Sequence, residues 1–249
     1  MELLQLKRSL SGLAVIGGAA KPKWLSAQDI LGAKLLGQFA GDKSSSLTLS
    51  GASVTSWTCL ITGLAIAPGT AGTRPVYNSA GFLTFDGVDD YLSAPSNPYF
   101  SGAATGEIFV VANNTALPAH TGLRIAAWIG GTTSIATSRA LGRSVVSAVN
   151  RAYARVGNGS GNAAVNATAG DFSGKHRVAC RVEAATTYVN LDGGAEASAS
   201  IVPSTTTAAT VIGQYGLAGS GFWQGGIYTV LFTSPLTSGE RAALNALYS

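Results

Sequence analysis

Three carboxylates lie close together in the stretch FLTFDGVDDYL, which spans residues 82–92. They belong to Asp86, Asp89 and Asp90, and the whole chain carries only 12 acidic residues. Carboxylates perform general acid/base catalysis, and Asp side chains on a bent loop are also typical of calcium sites. The stretch therefore raises three alternatives, namely an acid/base site, a calcium site and a turn.

The turn is the favoured interpretation of this stretch. Asp86-Gly87 is a dipeptide that forms corners after strands, and Asp89 is placed to cap the corner by accepting backbone N–H groups. Tyr91 and Leu92 would then begin the next strand. Calcium, bound by the three Asp side chains, is the only cofactor that stays open, and direct ligand contact is the third alternative.

Catalysis by other groups is disfavoured by the distribution of reactive side chains. Glycoside hydrolysis needs two carboxyl groups about 5 to 9.5 Å apart, and the remaining acids are scattered singly. His120 and His176 are the only histidines, and no Gly-x-Ser-x-Gly motif accompanies them. We therefore predict that the protein is not an enzyme and has no catalytic residues. A polysaccharide hydrolase or lyase is the less favoured alternative.

Aromatic and amide side chains suit a different chemistry, the binding of sugars. An exposed aromatic ring can stack on a pyranose face while Asn or Asp side chains bind the hydroxyl groups. Each candidate aromatic residue also suits a core or interface position, so both alternatives stay open for each. The candidate glycan-binding residues are Trp128, Tyr153, Tyr215, Trp223 and Asn158, with Asn162 and Gln214 beside them.

The composition indicates an unusual exterior. Of the 249 residues 11% are charged, against about a quarter in typical globular domains, and 32 are glycine. Such a chain stays soluble through Ser, Thr, Asn and Gly, or covers its exterior with other subunits. We therefore expect a homo-oligomer or a subunit of a larger assembly.

The net charge of +4 comes from scattered basic residues. Without interleaved aromatic residues or a long Lys/Arg run, nucleic acid is not an expected partner. A solvated or subunit-facing patch is expected instead, formed by Arg139, Arg143, Arg151 and Arg155. No run of 18 apolar residues occurs, so no membrane span is predicted.

The two cysteines match no zinc, haem or redox spacing. Cys180 alternates with Val178 and Val182, which is typical of a small core residue. A disulfide between Cys59 and Cys180 is the alternative.

The first 20 residues allow two interpretations. An apolar stripe at helical spacing predicts a short helix that needs a partner to pack on, and it consists of Leu3, Leu6, Leu10 and Leu13. Alternatively, Lys7 and Arg8 before an apolar stretch with a small-residue end outline a signal peptide. We predict an N-terminal anchoring arm and linker over residues 1–21, followed by one domain over residues 22–249.

Strands are the main elements expected in that domain. Residues 82–85 alternate, and residues 108–111 (IFVV) form the continuous apolar run of a strand buried on both faces. Residues 176–183 place Val178, Cys180 and Val182 on one side, and a hairpin partner follows with Thr187, Val189 and Leu191 inward and the turn Asp192-Gly193-Gly194. Residues 226–232 (GIYTVLF) are apolar on both alternating sets, so they are expected at the centre of a sheet.

Two helices are expected besides the arm. Thr237 with Glu240 predicts a capping box for a C-terminal helix whose apolar face is Leu244, Leu247 and Tyr248. A second helix is predicted over residues 27–39, with Ser26 as its cap and with Leu31, Leu35 and Phe39 on one face.

The order of several short motifs resembles the laminin-G-like jelly rolls of the concanavalin A-like superfamily, in the variant common in phage and bacterial surface proteins. The motifs are WLSAQD (24–29), LTLSGASVTSW (47–57), RPVY (74–77), FDGVDDYL (85–92), GKHRV (174–178), YVNLDG (188–193), IG (212–213), FWQGGI (222–227) and residues 235–248. The resemblance implies an all-β, two-sheet antiparallel jelly-roll sandwich whose concave face or rim loops often bind sugars. The Glu-x-Asp-x-x-Glu motif of catalytic members is missing from this sequence.

The leading hypothesis is a non-enzymatic structural or adhesive virion protein of a tailed bacteriophage, as a capsid decoration or a tail or fibre component. Its expected partners are other virion proteins, reached through the arm, and a surface polysaccharide. The alternative is a secreted or cell-surface bacterial carbohydrate-binding or adhesion module.

Overall fold

A computed structural model of the chain describes residues 21–102, 104–115, 123–131, 135–147, 149–170, 172–216 and 220–249. Strands dominate these residues, and they pair into two antiparallel sheets that pack face to face. The all-β sandwich predicted from the sequence is therefore confirmed. The predicted arm stripe of Leu3, Leu6, Leu10 and Leu13, and His120, lie outside the described residues.

The elements of the described residues follow one another along the chain. The strands are β1 (Leu35–Ala40), β2 (Leu47–Ser50), β3 (Ser53–Thr58), β4 (Ala65–Ile66), β5 (Val76–Asn78), β6 (Phe82–Asp86), β7 (Leu92–Ala94), β8 (Gly106–Ala112), β9 (Arg124–Gly130), β10 (Ser138–Val146), β11 (Val149–Gly157), β12 (Asn162–Ala169), β13 (His176–Val182), β14 (Thr186–Leu191), β15 (Ala197–Ser200), β16 (Thr210–Ile212) and β17 (Gln224–Thr233). The α-helices are α1 (Lys23–Leu31) and α2 (Ser238–Tyr248), and 3-10 turns occupy Gly32–Lys34, Ser44–Ser46, Ala71–Thr73 and Ile135–Thr137.

The two sheets differ in size, and we call them the large and the small sheet. In the large sheet the order is β15-β14-β13-β8-β17-β6-β5-β3-β2, with β1 also paired to β17 and β4 to β3. In the small sheet the order is β12-β11-β10-β9-β16-β7. Adjacent strands such as β8 and β17 are far apart in sequence, as in jelly rolls and unlike simple meanders.

Strands β8 and β17 are apolar on both faces because both faces are covered. Every residue of β8 is buried. Ile108 and Val110 face the main core between the sheets, whereas Phe109 and Val111 pack in a second core beneath the two helices. The predicted doubly buried strand and the central position of residues 226–232 are therefore confirmed.

The predicted hairpin is also confirmed. β13 pairs antiparallel with β14, and Val178, Cys180 and Val182 lie in the main core with Val189. After β14 the chain turns at Asp192 and Gly193, which both have positive φ, and returns as β15.

The C-terminal helix begins as the sequence predicts. The Thr237 hydroxyl accepts the Glu240 amide at 3.2 Å, and the Glu240 carboxylate accepts the Thr237 amide at 2.6 Å. Leu244 and Tyr248 are buried against the large sheet. No helix in the described ranges is long and apolar enough to cross a membrane.

The prediction of a helix over residues 27–39 is wrong in its bounds. Helix α1 begins at Lys23 after Pro22, and it ends where Gly32 takes a positive φ of 49°. Leu35 and Phe39 belong to β1 instead. A register shift between Leu35 and Gly37 places Leu35 in the core beneath the helices and Phe39 in the main core between the sheets. Helical spacing of apolar residues therefore did not identify a helix here.

Two further predictions are corrected by burial. Cys59 and Cys180 are free and buried, so the alternative of a disulfide between them is wrong. Arg139 and Arg143 are buried, so the expected patch of four arginines does not form. On β10 they alternate in step with Leu141, which faces the main core between the sheets. On β11, Arg151 and Arg155 alternate in step with Tyr153, which faces the outside of the small sheet.

Candidate functional site

The carboxylate cluster of residues 86–90 forms a corner between β6 and β7. Asp86 Oδ1 accepts the amides of Val88 at 2.8 Å, Asp89 at 3.2 Å and Asp90 at 3.4 Å. The predicted turn is thus present, but Asp86 caps it and not Asp89. The reason is positional: the side chain that precedes a corner faces the amides that follow it.

Asp90 closes the same corner from inside. Only 6% of the residue is exposed, and its Oδ2 accepts the Asp86 amide at 2.9 Å. Burial is the main cause that raises the pKa of Asp90 to about 6, and the charges of Asp86 and Asp89 add to it. Ligand atoms of the three Asp residues lie within 4.8 Å of one another, so calcium ligation stays a prediction.

We expect Asp90→Asn to remove a pH dependence of stability. The folded-state pKa of about 6 lies above the unfolded value of about 3.9. This contribution to stability is therefore full below pH ~4 and is lost as the pH rises through about 6. After a discount for partial solvation, wild type should lose about 1–2 kcal/mol relative to the variant between pH 4 and pH 8.

Urea denaturation of both proteins across this pH range measures that difference. Parallel stability curves would contradict the prediction, since the other titrating groups are common to both proteins. Calcium ligation would favour the ionised Asp90, so added calcium would remove the pH dependence and a chelator would restore it.

A second candidate site lies on the outer face of the small sheet, where strand pairing gathers an aromatic cluster. Trp128 on β9 lies opposite Ala140 on β10 and Val211 on β16. Tyr153 of β11 belongs to the same cluster, and Tyr215, which follows β16, packs against it. The rings of Trp128 and Tyr215 meet edge to face with centroids 4.7 Å apart.

Arg155 joins this cluster to the neighbouring edge strand. Its Nη1 donates to the Tyr215 hydroxyl at 2.6 Å, and its Nε donates to Asn162 Oδ1 at 2.7 Å. Arg155 makes no ion pair with a carboxylate of the described residues, so its charge remains uncompensated there. Burial raises the pKa of Tyr153 to about 12, so this hydroxyl stays protonated.

A surface cavity of about 410 Å³ opens beside Arg155 and Tyr215. We call it the sheet cleft, and its lining is completed by Leu123, Arg124, Ser220 and Gly221. An aromatic ring and guanidinium groups around one cleft can bind the apolar face and the hydroxyl or carboxylate groups of a sugar.

The structure divides the predicted glycan-binding residues. Tyr215 is half-buried and lines the sheet cleft, but Trp128 at 1% and Tyr153 at 6% exposure lie beneath the surface and support it. The prediction that these two stack on a sugar is therefore corrected. Their rings are covered because β9, β10, β11 and β16 carry a further apolar cluster on the outer face of the small sheet, separate from the core beneath the helices.

The other predicted contacts are corrected as well. Trp223 has no exposed surface and packs in the main core, while Gln214 is buried. Asn158 is exposed, but its Oδ1 accepts the amides of Ser160 and Gly161, so it shapes the turn between β11 and β12. Asn162, at the start of β12, does reach Arg155.

Arg155 was not among the predicted site residues, because the four arginines were expected to form a solvated or subunit-facing patch. The signal was the alternation RAYAR, which puts Arg151, Tyr153 and Arg155 on one face of a strand. An outward face with two arginines around a tyrosine differs from the rest of the sequence, which is rich in small and weakly polar residues.

His176 takes a structural role in this arrangement. Its Nδ1 lies 2.6 Å from Asp192 Oδ2, and Arg177 Nε lies 3.1 Å from Asp192 Oδ1. Burial raises the pKa of Asp192, but the hydrogen bonds from the Arg177 amide, His176 and the Arg177 side chain outweigh it, so the pKa is lowered. His176 is held in place because the turn after β14 folds Asp192 back onto it.

Comparison with known proteins reveals a shared fold. No protein-family model matches the chain, and no curated protein matches it. Trypanosoma rangeli sialidase in complex with 2,3-difluoro-KDN is 14% identical with a TM-score of 0.61, over 91% of this chain and 38% of that chain. The complex of the same enzyme with sialic acid is 14% identical with a TM-score of 0.61, over 90% of this chain and 37% of that chain.

A smaller solved structure is also similar. The CBM40 of Ruminococcus gnavus IT-sialidase bound to α2,3-sialyllactose is 12% identical with a TM-score of 0.46, over 64% of this chain and 98% of that chain. At such identities the likeness to the sialidase supports the β-sandwich fold alone, and this chain spans only about 38% of the sialidase's length. The laminin-G-like and phage-specific parts of the resemblance stay predictions.

Proposed function

We propose that the protein is a non-enzymatic adhesive module that binds surface polysaccharide in the sheet cleft. The observation that carries this proposal is the Arg155–Tyr215 contact beside a surface cavity on a rigid sheet. The partly exposed Tyr215 ring offers an apolar face, and the guanidinium of Arg155 offers donors for hydroxyl or carboxylate oxygens. Trp128 fixes the ring from below, which lowers the entropy lost on binding.

The absence of turnover is part of this proposal. At the corner of residues 86–90, the Asp86 carboxylate caps the turn and Asp90 is buried, so both have structural roles. The His176–Asp192 pair is engaged with Arg177. The protein should therefore leave the polysaccharides that it binds intact.

Binding measurements on cleft variants test the proposal. A glycan array identifies a ligand, and calorimetry then compares wild type with Arg155→Ala and Tyr215→Ala. We expect each variant to lose at least tenfold in affinity, about 1.4 kcal/mol. Arg151→Ala is the matched control, because Arg151 lies on the same strand with the same charge but does not line the cleft.

Equal losses in all three variants would indicate a general charge effect and would contradict the cleft. Retained affinity in both cleft variants would contradict it as well. Release of reducing ends from the bound polysaccharide would contradict the non-enzymatic part of the proposal.

For the place of this module we propose the virion of a tailed phage, where residues 1–21 attach it to other virion proteins. The low charge of the chain and the resemblance of its motifs to phage surface jelly rolls support this location and a homo-oligomeric state. Electron microscopy of the particle tests it. A mature protein that starts near Lys21 and associates with no particle would favour the secreted bacterial module instead.

A further inference from the structure

A second cavity of about 420 Å³ lies on the other sheet, away from the sheet cleft. It opens where the start of helix α1 approaches β17 and the end of helix α2. Its walls include Val111, Gly81 and the rings of Tyr228 and Tyr248. We call it the lysine pocket because Lys21, Lys23 and Lys175 surround it.

Two of these lysines hold their charges side by side. Lys23 Nζ lies 5.9 Å from the Tyr248 ring centroid, and Lys175 Nζ lies 5.8 Å from that of Tyr228. Burial lowers the pKa of Lys175 first, and the charge and direct contact of Lys23 lower it further. Two adjacent ammonium groups over an apolar wall repel each other, and an anion between them would offset that cost.

The neighbouring groups compensate these charges only in part, because the Asp42 carboxylate interacts electrostatically with Lys23. Lys21 is engaged by Asp29, whereas neither Lys23 nor Lys175 forms an ion pair with a described carboxylate. Asp42 also lines the pocket, and it accepts the amides at the start of helix α1. The pocket therefore combines cations with one carboxylate that can accept hydrogen bonds from hydroxyl groups.

Tyr248 forms part of the wall of the lysine pocket. The residue is buried, and its hydroxyl interacts with the side chains of Thr229 and Gln38 while its ring lies beneath Lys23. The volume exceeds that of a bare anion and lies in the range of about 300–1,000 Å³ typical of small-molecule sites.

We propose that the lysine pocket binds an acidic sugar residue, with its carboxylate between Lys23 and Lys175 and its ring against Tyr228. The Asp42 carboxylate repels a dianion such as phosphate, but it can accept hydrogen bonds from the hydroxyl groups of a sugar. In a sugar ring with one carboxylate, the carboxylate can pair with the lysines while the ring hydroxyl groups donate hydrogen bonds to Asp42. The pocket is independent of the sheet cleft, since it lies on the other sheet and shares no residue with it.

Titration of the full chain with sodium glucuronate tests the pocket. Nuclear magnetic resonance follows the amide signals of Lys23, Lys175 and Tyr228, so a sugar bound in the sheet cleft is observed separately. We expect these signals to saturate with glucuronate and to respond much less to glucose, which has no carboxylate. Lys23→Met and Lys175→Met should each weaken the binding at least fivefold.

Lys43→Met is the matched control, because Lys43 stacks on Trp24 outside the pocket. It should leave glucuronate binding unchanged, and melting curves verify that every variant is folded. Binding unchanged in both pocket variants would overturn the proposal, and so would equal responses to glucose and glucuronate. Inorganic phosphate that binds more tightly than glucuronate would identify a bare anion site and overturn the sugar assignment.

Discussion

Replacing Trp223 with alanine is expected to lower the free energy of unfolding by about 3–5 kcal/mol. The side chain has no exposed surface, and it fills the main core between the two sheets. Its Nε1 also donates to the Asn113 carbonyl at 3.0 Å. The substitution removes apolar burial, leaves a cavity and deprives a carbonyl of its donor, so the three costs act in the same direction.

Urea denaturation with unchanged m-values measures this loss, and Tyr215→Ala is the matched comparison. Tyr215 is partly exposed, so its truncation should cost only about 1 kcal/mol while it abolishes most of the sugar affinity. A Trp223→Ala protein with wild-type stability and impaired sugar binding would restore Trp223 as a ligand contact. That result would contradict its position in the core.

Arg139→Ala is expected to cost about 3 kcal/mol, whereas Arg139→Met should recover more than half of that loss. Arg139 is fully buried, its Nε donates to Thr205 Oγ1 at 3.0 Å, and its guanidinium lies 4.5 Å from the Phe100 ring centroid. Burial lowers its pKa to about 10, which shows that the protein disfavours this charge. Methionine keeps most of the volume without the charge, so the hydrogen bonds and the cation–π contact are lost while most of the packing is retained.

The comparison of the two variants decides between volume and polar bonding. If volume dominates, stability follows the order wild type, Met, Ala. Equal losses in both variants would show that the bonds to Thr205 and to the Ala104 carbonyl matter more than packing. Both variants remove the charge of Arg139, so the difference between them reports on volume.

Local pattern predicted the strands whose neighbours cover them fully. The apolar run at Ile108 and the run at Ile227 indicated central strands, because a strand that is apolar on both faces must be covered on both. The capping box at Thr237 was equally readable, since it depends on residues three apart. These features require no knowledge of distant parts of the chain.

The candidate sites were less readable for a physical reason. Period-two alternation shows which residues share a face but not whether that face meets a core or solvent. Arg139 and Arg155 both alternate with apolar neighbours, yet Arg139 faces the main core and Arg155 faces the sheet cleft. The same ambiguity placed Trp128 and Trp223 among the sugar contacts.

The sequence by itself determined the all-β class, the hairpin of β13 and β14, the corner at residues 86–90 and the final helix, because each follows from local spacing and turn chemistry. Only the tertiary structure decided that Asp86 caps the corner while Asp90 is buried, and that Tyr215 meets Arg155. Lys23 and Lys175 likewise become neighbours only when helix α1 packs beside the large sheet. Arg155 and Tyr215 are 60 positions apart in the chain. Local residue spacing carries no information about contacts at that separation.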